Sequence, residues 1–571
     1  MLLCGIHDGH NSAAAIVKDG VLVGALQEER VSRVKNWHGF PEQAIETLLK
    51  SVGAGWGDVD RYLFNGNEYY LPPGGRPGDR EAQCRIYKNN ATMMGSIRQQ
   101  LRKTPLRNVV QSQRQEQRLA GLLGRGVKRE RIVPMDHHGC HAAAAYYGRG
   151  ADPESLVITL DGAGDGVCAT VSVPKNGKLE RLHAIDEEHS IGILWNIITA
   201  IMGMVPNEHE YKMMGMAPYA GGKRAKSVED IFARAYRTVE GGWERTGGLP
   251  EANYAYLYWR EALEMARFDY IFAGLQSFTE DLIAPWVQHW LRKTGRRRLC
   301  LSGGVFMNVK LNKILCELPE VDDVYVFPSC GDETNTMGAC WQFLEQQGKA
   351  DTIKPMGPFY LGLEPTREQY DKAAADAKAR GFIVEQPGDV EDAVATLLAS
   401  GEVVARCNGR EEFGARALGN RSIMADPSRR EVVRVINKAI KSRDFWMPFA
   451  CSMLDEAAHE YLKNPKGIKA PYMILTFDSL NTEKIIAGCH PEDGTVRPQI
   501  VTPDWNPTYH RTLKLFREKT GRGAILNTSL NLHGEPMVST PADSIDVMAR
   551  SGLNNLCMGP YVIRKPGSMR Q

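Results

Sequence analysis

The densest chemistry in the 571-residue chain is the run Asp136-His137-His138-Gly139-Cys140-His141, which leads directly into four alanines. A polar start followed by alanines predicts a helix capped by Asp136. On that helix His137 and His141 stand four residues apart, so both rings leave one face at the spacing of two metal ligands. His138 points roughly a hundred degrees away and is expected to be a supporting or core residue. Asp161 closes an apolar stretch in Asp161-Gly162-Ala163-Gly164-Asp165-Gly166 and can add a carboxylate. Asp332, in the loop after another apolar stretch, can add a fourth ligand. Two imidazoles and two carboxylates without a thiolate suit iron(II), manganese or zinc, and spacing alone does not choose among them.

Three glycine turns have the form that lets backbone approach a phosphate: Asp8-Gly9 with His10 and Ser12, Gly162-Ala163-Gly164, and Gly303-Gly304. Glu210 and Lys212, ahead of a methionine-rich turn, are candidates to touch ribose and phosphate. In the second half of the chain, a predicted strand over 403–407 runs into Gly409 to Ser422, where Arg416 and Arg421 stand five apart among glycines. They form an oxyanion cradle on paper. Lys441 and Arg443 beside Phe445 and Trp446, then Arg497 and Gln499, then Asn527 and Ser529, extend it. The cluster suits a small phosphorylated anion.

The elements that must position these residues are legible from periodicity. An apolar run at 2–6 meets Asp8-Gly9, and runs at 13–17 and 21–26 flank an Asp19-Gly20 turn. The order recurs at 156–160 and 167–173, with an Asn176-Gly177 turn, which predicts an internal duplication. A helix over 41–52 places Ala44, Ile45, Leu48, Leu49 and Val52 on one face. Strand-loop-helix units start at 299–301 and 324–327. Pro355, Gly357, Pro358 and Pro365 mark a junction, giving domains 1–355 and 356–571. Residues 76–131 carry fourteen Lys or Arg against four acidic residues. Aromatic residues hardly interleave them, which favours a solvated helical insert, or a face against an acidic subunit, over a binding surface for an anionic partner.

Composition narrows the class. Hydrophobic residues make up 43% and charged residues 24%, with a net charge of +2. That balance argues against a nucleic-acid or membrane partner. The apolar run 191–206 is broken by Asn196 and Thr199 and falls short of a membrane span, so a buried helix is expected. No basic n-region or cleavage site opens the sequence. Twelve scattered cysteines without a CxxC pair speak for reduced thiols and a cytoplasmic enzyme.

These motifs carry a resemblance. DHHGCHAAAA, LDGAGDG, KMMGMAPYA, LSGGVFMN and GDETNTMGA look like the N-terminal domain of the NodU/CmcH O-carbamoyltransferases. RALGNRS, IKSRDFWMPFA, RPQIV and NTSLNLHGEP look like its C-terminal signature, with Met447 where many members carry arginine. The motifs follow the expected order along essentially the whole chain. The resemblance implies an α/β protein: a duplicated, actin-like or sugar-kinase-like N-terminal domain, similar to tRNA threonylcarbamoyl transferases, and a YrdC-like C-terminal domain. It implies that carbamoyl phosphate and Mg-ATP become carbamoyl-adenylate in the second domain. The first domain then passes the carbamoyl group to a hydroxyl of a small acceptor, an antibiotic or other secondary metabolite.

By the same resemblance His137, His141, Asp161 and Asp332 hold iron(II), and His10 is the catalytic histidine. Lys212, Gly303, Gly304 and Asn308 line the adenylate, joined by Asp8, Ser12 and Gly162 of the glycine turns. Arg416, with a catalytic role, together with Arg421, Lys441, Arg443, Arg497, Asn527 and Ser529, surrounds carbamoyl phosphate. A homodimer is among the expected assemblies. The rival readings are a tRNA-modifying enzyme, a hydrogenase-maturation carbamoyltransferase, whose paired CxxC modules are absent, and a non-enzymatic actin-like nucleotide-binding protein.

Overall fold

The computed structural model describes residues 1–67, 82–90, 92, 106–441 and 444–567. The chain divides into two units: Met1–Glu29 with Asn36–Met356, and Arg30–Lys35 with Gly357–Gln571. Both mix helices and strands, so the protein is of the α/β class.

The first unit is built on two five-stranded sheets. One holds β1 (Leu2–His7), β2 (Ala13–Lys18), β3 (Val21–Gln27), β4 (Arg61–Asn65) and β5 (Ile132–Met135) in the order β3-β2-β1-β4-β5. The other holds β6 (Ser155–Gly164), β7 (Val167–Lys175), β8 (Lys178–Asp186), β11 (Arg298–Ser302) and β12 (Asp323–Val326) in the order β12-β11-β6-β7-β8. A small hairpin, β9 (Tyr236–Val239) and β10 (Gly242–Arg245), falls between β8 and β11 in sequence. In each large sheet the first three strands form an antiparallel meander, and the two later strands add in parallel beside the first. One topology is thus laid down twice.

Local chemistry accounts for the meanders. Asp19 and Gly20 have φ of 50° and 82°, Asn176 and Gly177 of 52° and 75°, and Asp165 and Gly166 of 53° and 82°. Two successive left-handed residues suit the mirror-image turn that matches strand twist, and Asp-Gly and Asn-Gly enter it at least cost. The first strand of each sheet is buried on both faces, with Leu3, Cys4 and Ile6 and then Leu156, Val157, Ile158 and Leu160 fully enclosed. Helix His137–Arg149 starts on Asp136, whose side chain accepts from the Gly139 N–H, and ends on Gly150 at φ 114°. It packs on helix Asn335–Gln346. A side chain at Gly338 would strike the Cys140 carbonyl, so glycine sets that close approach. The apolar run read as a buried helix is helix Ile191–Ile201, capped by Ser190.

The second unit is organised around an eight-stranded mixed sheet of β13 (Ile383–Glu385), β14 (Val404–Cys407), β15 (Arg421–Ala425), β16 (Ala450–Leu454), β19 (Pro498–Val501), β20 (Ala524–Ser529), β21 (Asn555–Met558) and β22 (Tyr561–Arg564). Their order is β13-β22-β21-β14-β15-β20-β16-β19. A two-stranded ribbon of β17 (Phe477–Asp478) and β18 (Thr495–Val496) stands apart. The core packs Ala405, Ile423, Leu526, Leu556 and Ile563 against Ile545 and Met548 of helix Pro541–Arg550 and Tyr370 and Ala377 of helix Arg367–Ala379. All twelve cysteines are free thiols. Among the described residues no helix is long and apolar enough to cross a membrane.

Candidate functional site

The parallel strands of the second sheet end on one edge of the first unit, where loops gather polar groups. Nε2 of His137 lies 3.4 Å from Asp161 Oδ2 and 3.3 Å from Asp332 Oδ1, and His141 Nε2 lies 3.2 Å from the same Asp332 oxygen. One ligand atom from each of the four residues falls within 4.8 Å of the others. Each comes from a different support: two turns of one helix, the end of β6, and the loop after β12. Neighbours fix the ligands. Ser302 Oγ sits 3.1 Å from His141 Nδ1, and the Gly304 N–H donates to Asp161 Oδ1 at 2.8 Å. A side chain at Gly164 would collide with the His137 ring, so the glycine leaves that ring its place. His138 turns away, with Nδ1 2.7 Å from Thr159 Oγ1 and Nε2 2.9 Å from the Val167 carbonyl oxygen.

The electrostatics have the same shape. Burial alone would push the His137 ring down, but Asp332 and Asp161 outweigh it and hold it well above the ordinary histidine value. Burial would likewise raise Asp332, yet His137, His141 and His7 hold it well below the carboxylate range. Two carboxylates converging with two imidazoles favour a positive charge at their centre. His137 Nε2 is buried and makes no hydrogen bond. The donor set, two nitrogens and two carboxylate oxygens with oriented neighbours, fits a divalent transition metal.

The turn after β1 brings His7, Asp8 and His10 to the corresponding edge of the first sheet. His7 is held by Asn65, 3.2 Å from Nδ1, and by the His10 carbonyl, 2.9 Å from Nε2. Both oxygens of Asp8 are engaged by Arg118, at 2.8 to 3.1 Å, and Arg118 also donates to the carbonyls of Asn65 and Gly66. Asp8 is expected on the nucleotide from the sequence; in the structure its carboxylate is paired with Arg118. Arg118 comes from the basic insert, in helix Leu106–Leu123, and is 4% exposed. His10 Nε2 faces the Asn207 carbonyl at 2.9 Å, and His10 pairs with His38 in an isolated bridge. Burial lowers His7 and His10, and pushes His38 down to about 4. Ser12 is fully enclosed.

The remaining expected nucleotide residues are partly structural. Gly303, at φ 113°, turns β11 into its loop so close to Leu160 that any side chain would meet the Leu160 carbonyl. Asn308 caps helix Val309–Glu317, accepting from Leu311 N–H, and exchanges hydrogen bonds with Gln276 in both directions. Gly162 lies within β6, its carbonyl accepting from Ser190 Oγ. Lys212 is half-buried in helix Glu210–Met216.

In the second unit Lys441, Ser529 and Asn531 form a cluster. Lys441 Nζ donates to Ser529 Oγ at 3.0 Å and to Asn531 Oδ1 at 2.6 Å. Asn531 was not singled out from sequence. Asn527 Nδ2 donates to Ser452 Oγ at 2.9 Å and reaches the Ala417 carbonyl at 3.2 Å, leaving its buried Oδ1 without a partner. Arg421 is fully enclosed, with donors on the carbonyls of Ser539, Gly409 and Asn420 and with Nη2 unpaired. Its guanidinium therefore ties the Gly409 to Asn420 loop to the start of helix Pro541–Arg550. Arg416 and Arg497 are half-buried. Arg443 lies outside the described residues.

Comparison with known proteins places this arrangement. Residues 2–341 match the family model described as Carbamoyltransferase N-terminus, and residues 395–565 that described as Carbamoyltransferase C-terminus. The chain is 29% identical over 566 residues to nodulation protein NolNO of Sinorhizobium fredii (strain NBRC 101917 / NGR234), covering 97% of this chain and 79% of the relative. It is 30% identical over 266 residues to a 3'-hydroxymethylcephem-O-carbamoyltransferase of Amycolatopsis lactamdurans, covering 46% of this chain and 48% of the relative. Among solved structures, full-length HypF in its phosphate- and nucleotide-bound form aligns at a TM-score of 0.31 and 13% identity, over 61% of this chain and 46% of that one. Both halves match one family in one order, and the chain belongs to the carbamoyltransferases of the NodU/CmcH type and is an enzyme.

Proposed function

We propose that the enzyme is an ATP-dependent O-carbamoyltransferase whose second, YrdC-like unit makes carbamoyl-adenylate and whose first, actin-like unit delivers the carbamoyl group to a hydroxyl of a small natural product. The observation that carries this reading is the convergence of His137, His141, Asp161 and Asp332 to within 4.8 Å. In the second unit Lys441, Ser529, Asn531 and Asn527 offer a cation and neutral polar groups, with Arg416 and Arg497 on neighbouring segments, to bind carbamoyl phosphate and neutralise charge on the Mg-ATP phosphates. In the first unit the loops at Gly162 and Gly303-Gly304, with Lys212, orient the adenylate. His137, His141, Asp161 and Asp332 would hold a divalent metal, iron(II) by family resemblance, which would supply Lewis acidity for carbamoyl transfer. His10, lowered by burial, is neutral near pH 7 and accepts the proton of the attacking hydroxyl.

The test is an incubation of the protein with ATP, carbamoyl phosphate and magnesium but no acceptor. Carbamoyl-adenylate detected by mass spectrometry, and absent with Arg416→Ala, is the expected result. Folded, metal-loaded protein that releases no pyrophosphate under any acceptor would refute the reading.

A further inference from the structure

Asn207 stands at φ 62°, in the left-handed region that side-chain-bearing residues enter only at an energetic cost. Two side chains hold it there. Its N–H donates to Glu210 Oε1 at 2.9 Å, and its Oδ1 accepts from Asn196 Nδ2 at 2.8 Å. Asn196 Nδ2 also reaches the hydroxyl of Tyr87, a buried residue of the basic insert, at 3.3 Å. The outcome of this bracing is the direction of the Asn207 carbonyl, which faces His10 Nε2 at 2.9 Å. A carbonyl can only accept, so the contact assigns the ring proton to Nε2 and leaves the lone pair on Nδ1. If Asn207 relaxed to a right-handed conformation, its carbonyl would rotate and the tautomer would be released.

We infer that Glu210 is a positioning residue for the base of this enzyme: by holding Asn207 left-handed it fixes His10 as the Nε2–H tautomer, with Nδ1 as the atom that takes the hydroxyl proton. The inference rests on the proposed role of His10 in carbamoyl transfer. Sequence alone made Glu210 a candidate ribose contact, whereas its Oε1 is used on the Asn207 N–H. Glu210 is linked to His10 through Asn207, whose N–H donates to Glu210 and whose carbonyl faces the His10 ring. Burial pushes its carboxyl up to about 7. Either protonation state keeps an oxygen that accepts from Asn207, and so does a glutamine amide.

The experiment uses the full-length, metal-loaded protein labelled with ring-15N histidine, with His10 signals assigned by His10→Gln. Wild type and Glu210→Gln are expected to show the Nε2–H tautomer. Glu210→Ala is expected to show a tautomer mixture, with kcat for transfer down by about tenfold or more and KM changed by less than about twofold. A Glu210→Ala protein that keeps the pure Nε2–H tautomer and wild-type kcat overturns the inference, as does a wild type with the proton on Nδ1. The ring signals need no turnover, so they stand even if the wild type makes no carbamoylated product, which would count against the proposed reaction instead. Should Glu210→Ala not fold, Asn207→Gly, free to stay left-handed, must keep the tautomer while Asn207→Ala loses it; equal behaviour of the two overturns the inference.

Discussion

His141 shows what holds a single candidate ligand in place. Its Nε2 is 3.2 Å from Asp332 and its Nδ1 3.1 Å from Ser302, so the ring is fixed at both ends and fully enclosed. We expect His141→Ala and Asp332→Asn proteins to fold and to carry less than about a tenth of the wild-type metal, read by elemental analysis of the purified protein. His38 is instructive for stability. Its folded-state value, near 4, lies below the unfolded value of 6.5, so the unfolded chain binds the extra proton first. The stabilisation is complete above pH 6.5 and is lost as pH falls towards 4, with His7 and His10 shifted in the same direction. The loss assignable to His38 is about 2 kcal/mol after allowance for its partial exposure. Urea denaturation at pH 7 and pH 4.5 should show it, and a His38→Gln protein should lose less stability than wild type over that interval.

At the scale of elements, the readable features were those whose cause is local. The Asp-Gly and Asn-Gly turns, the Asp136 cap and the histidine pair on one helix face depend on residues within four positions of each other. The fold positions that joined them to Asp161 and Asp332 were legible only as strand ends, and the family resemblance supplied the grouping. What stayed hidden is non-local: Ser302 beneath His141, 161 residues apart, and Arg118 on Asp8, 110 apart. Nothing in the composition of a basic segment marks one arginine as buried. Likewise Arg421 looks like a phosphate ligand in RALGNRS, and only the structure shows it enclosed and donating to four carbonyls that brace a loop. The Asp8–Arg118 pair gives a direct test. Arg118→Met leaves a buried carboxylate without its partner, at a cost of about 3–5 kcal/mol in chemical denaturation, while Asp8→Asn with Arg118→Met together should recover part of that loss.

At the scale of the molecule, the two clusters of functional groups belong to different units of one chain. In the proposed reaction the lysine and asparagines of one would handle phosphate, and the histidines and aspartates of the other would handle transfer. The half-reactions should therefore separate genetically. His141→Ala should still release pyrophosphate from ATP and carbamoyl phosphate within about twofold of the wild-type rate, yet give no carbamoylated acceptor. Lys441→Ala should fail at the first step and be bypassed by synthetic carbamoyl-adenylate. Loss of pyrophosphate release in His141→Ala would mean that the units do not act in sequence. The near-neutral charge of the whole chain and the buried tasks of Arg118 and Tyr87 give the basic insert work other than nucleic-acid binding.

Residues Arg30–Lys35 are threaded into the second unit although the chain on both sides belongs to the first. There Arg30 donates to the Gly414 carbonyl at 2.6 Å, and Arg33 to the carbonyls of Met537 and Pro536 at 2.7 and 3.1 Å. The backbone therefore passes between the units three times, at 29/30, 35/36 and 356/357, where an ordinary tandem protein passes once. A gene cut at the proline-rich junction would yield a C-terminal half missing a six-residue piece of itself, with those carbonyls exposed to solvent. The halves are written like two exchangeable modules, but an ancestor could not have swapped one without carrying a stitch of the other along.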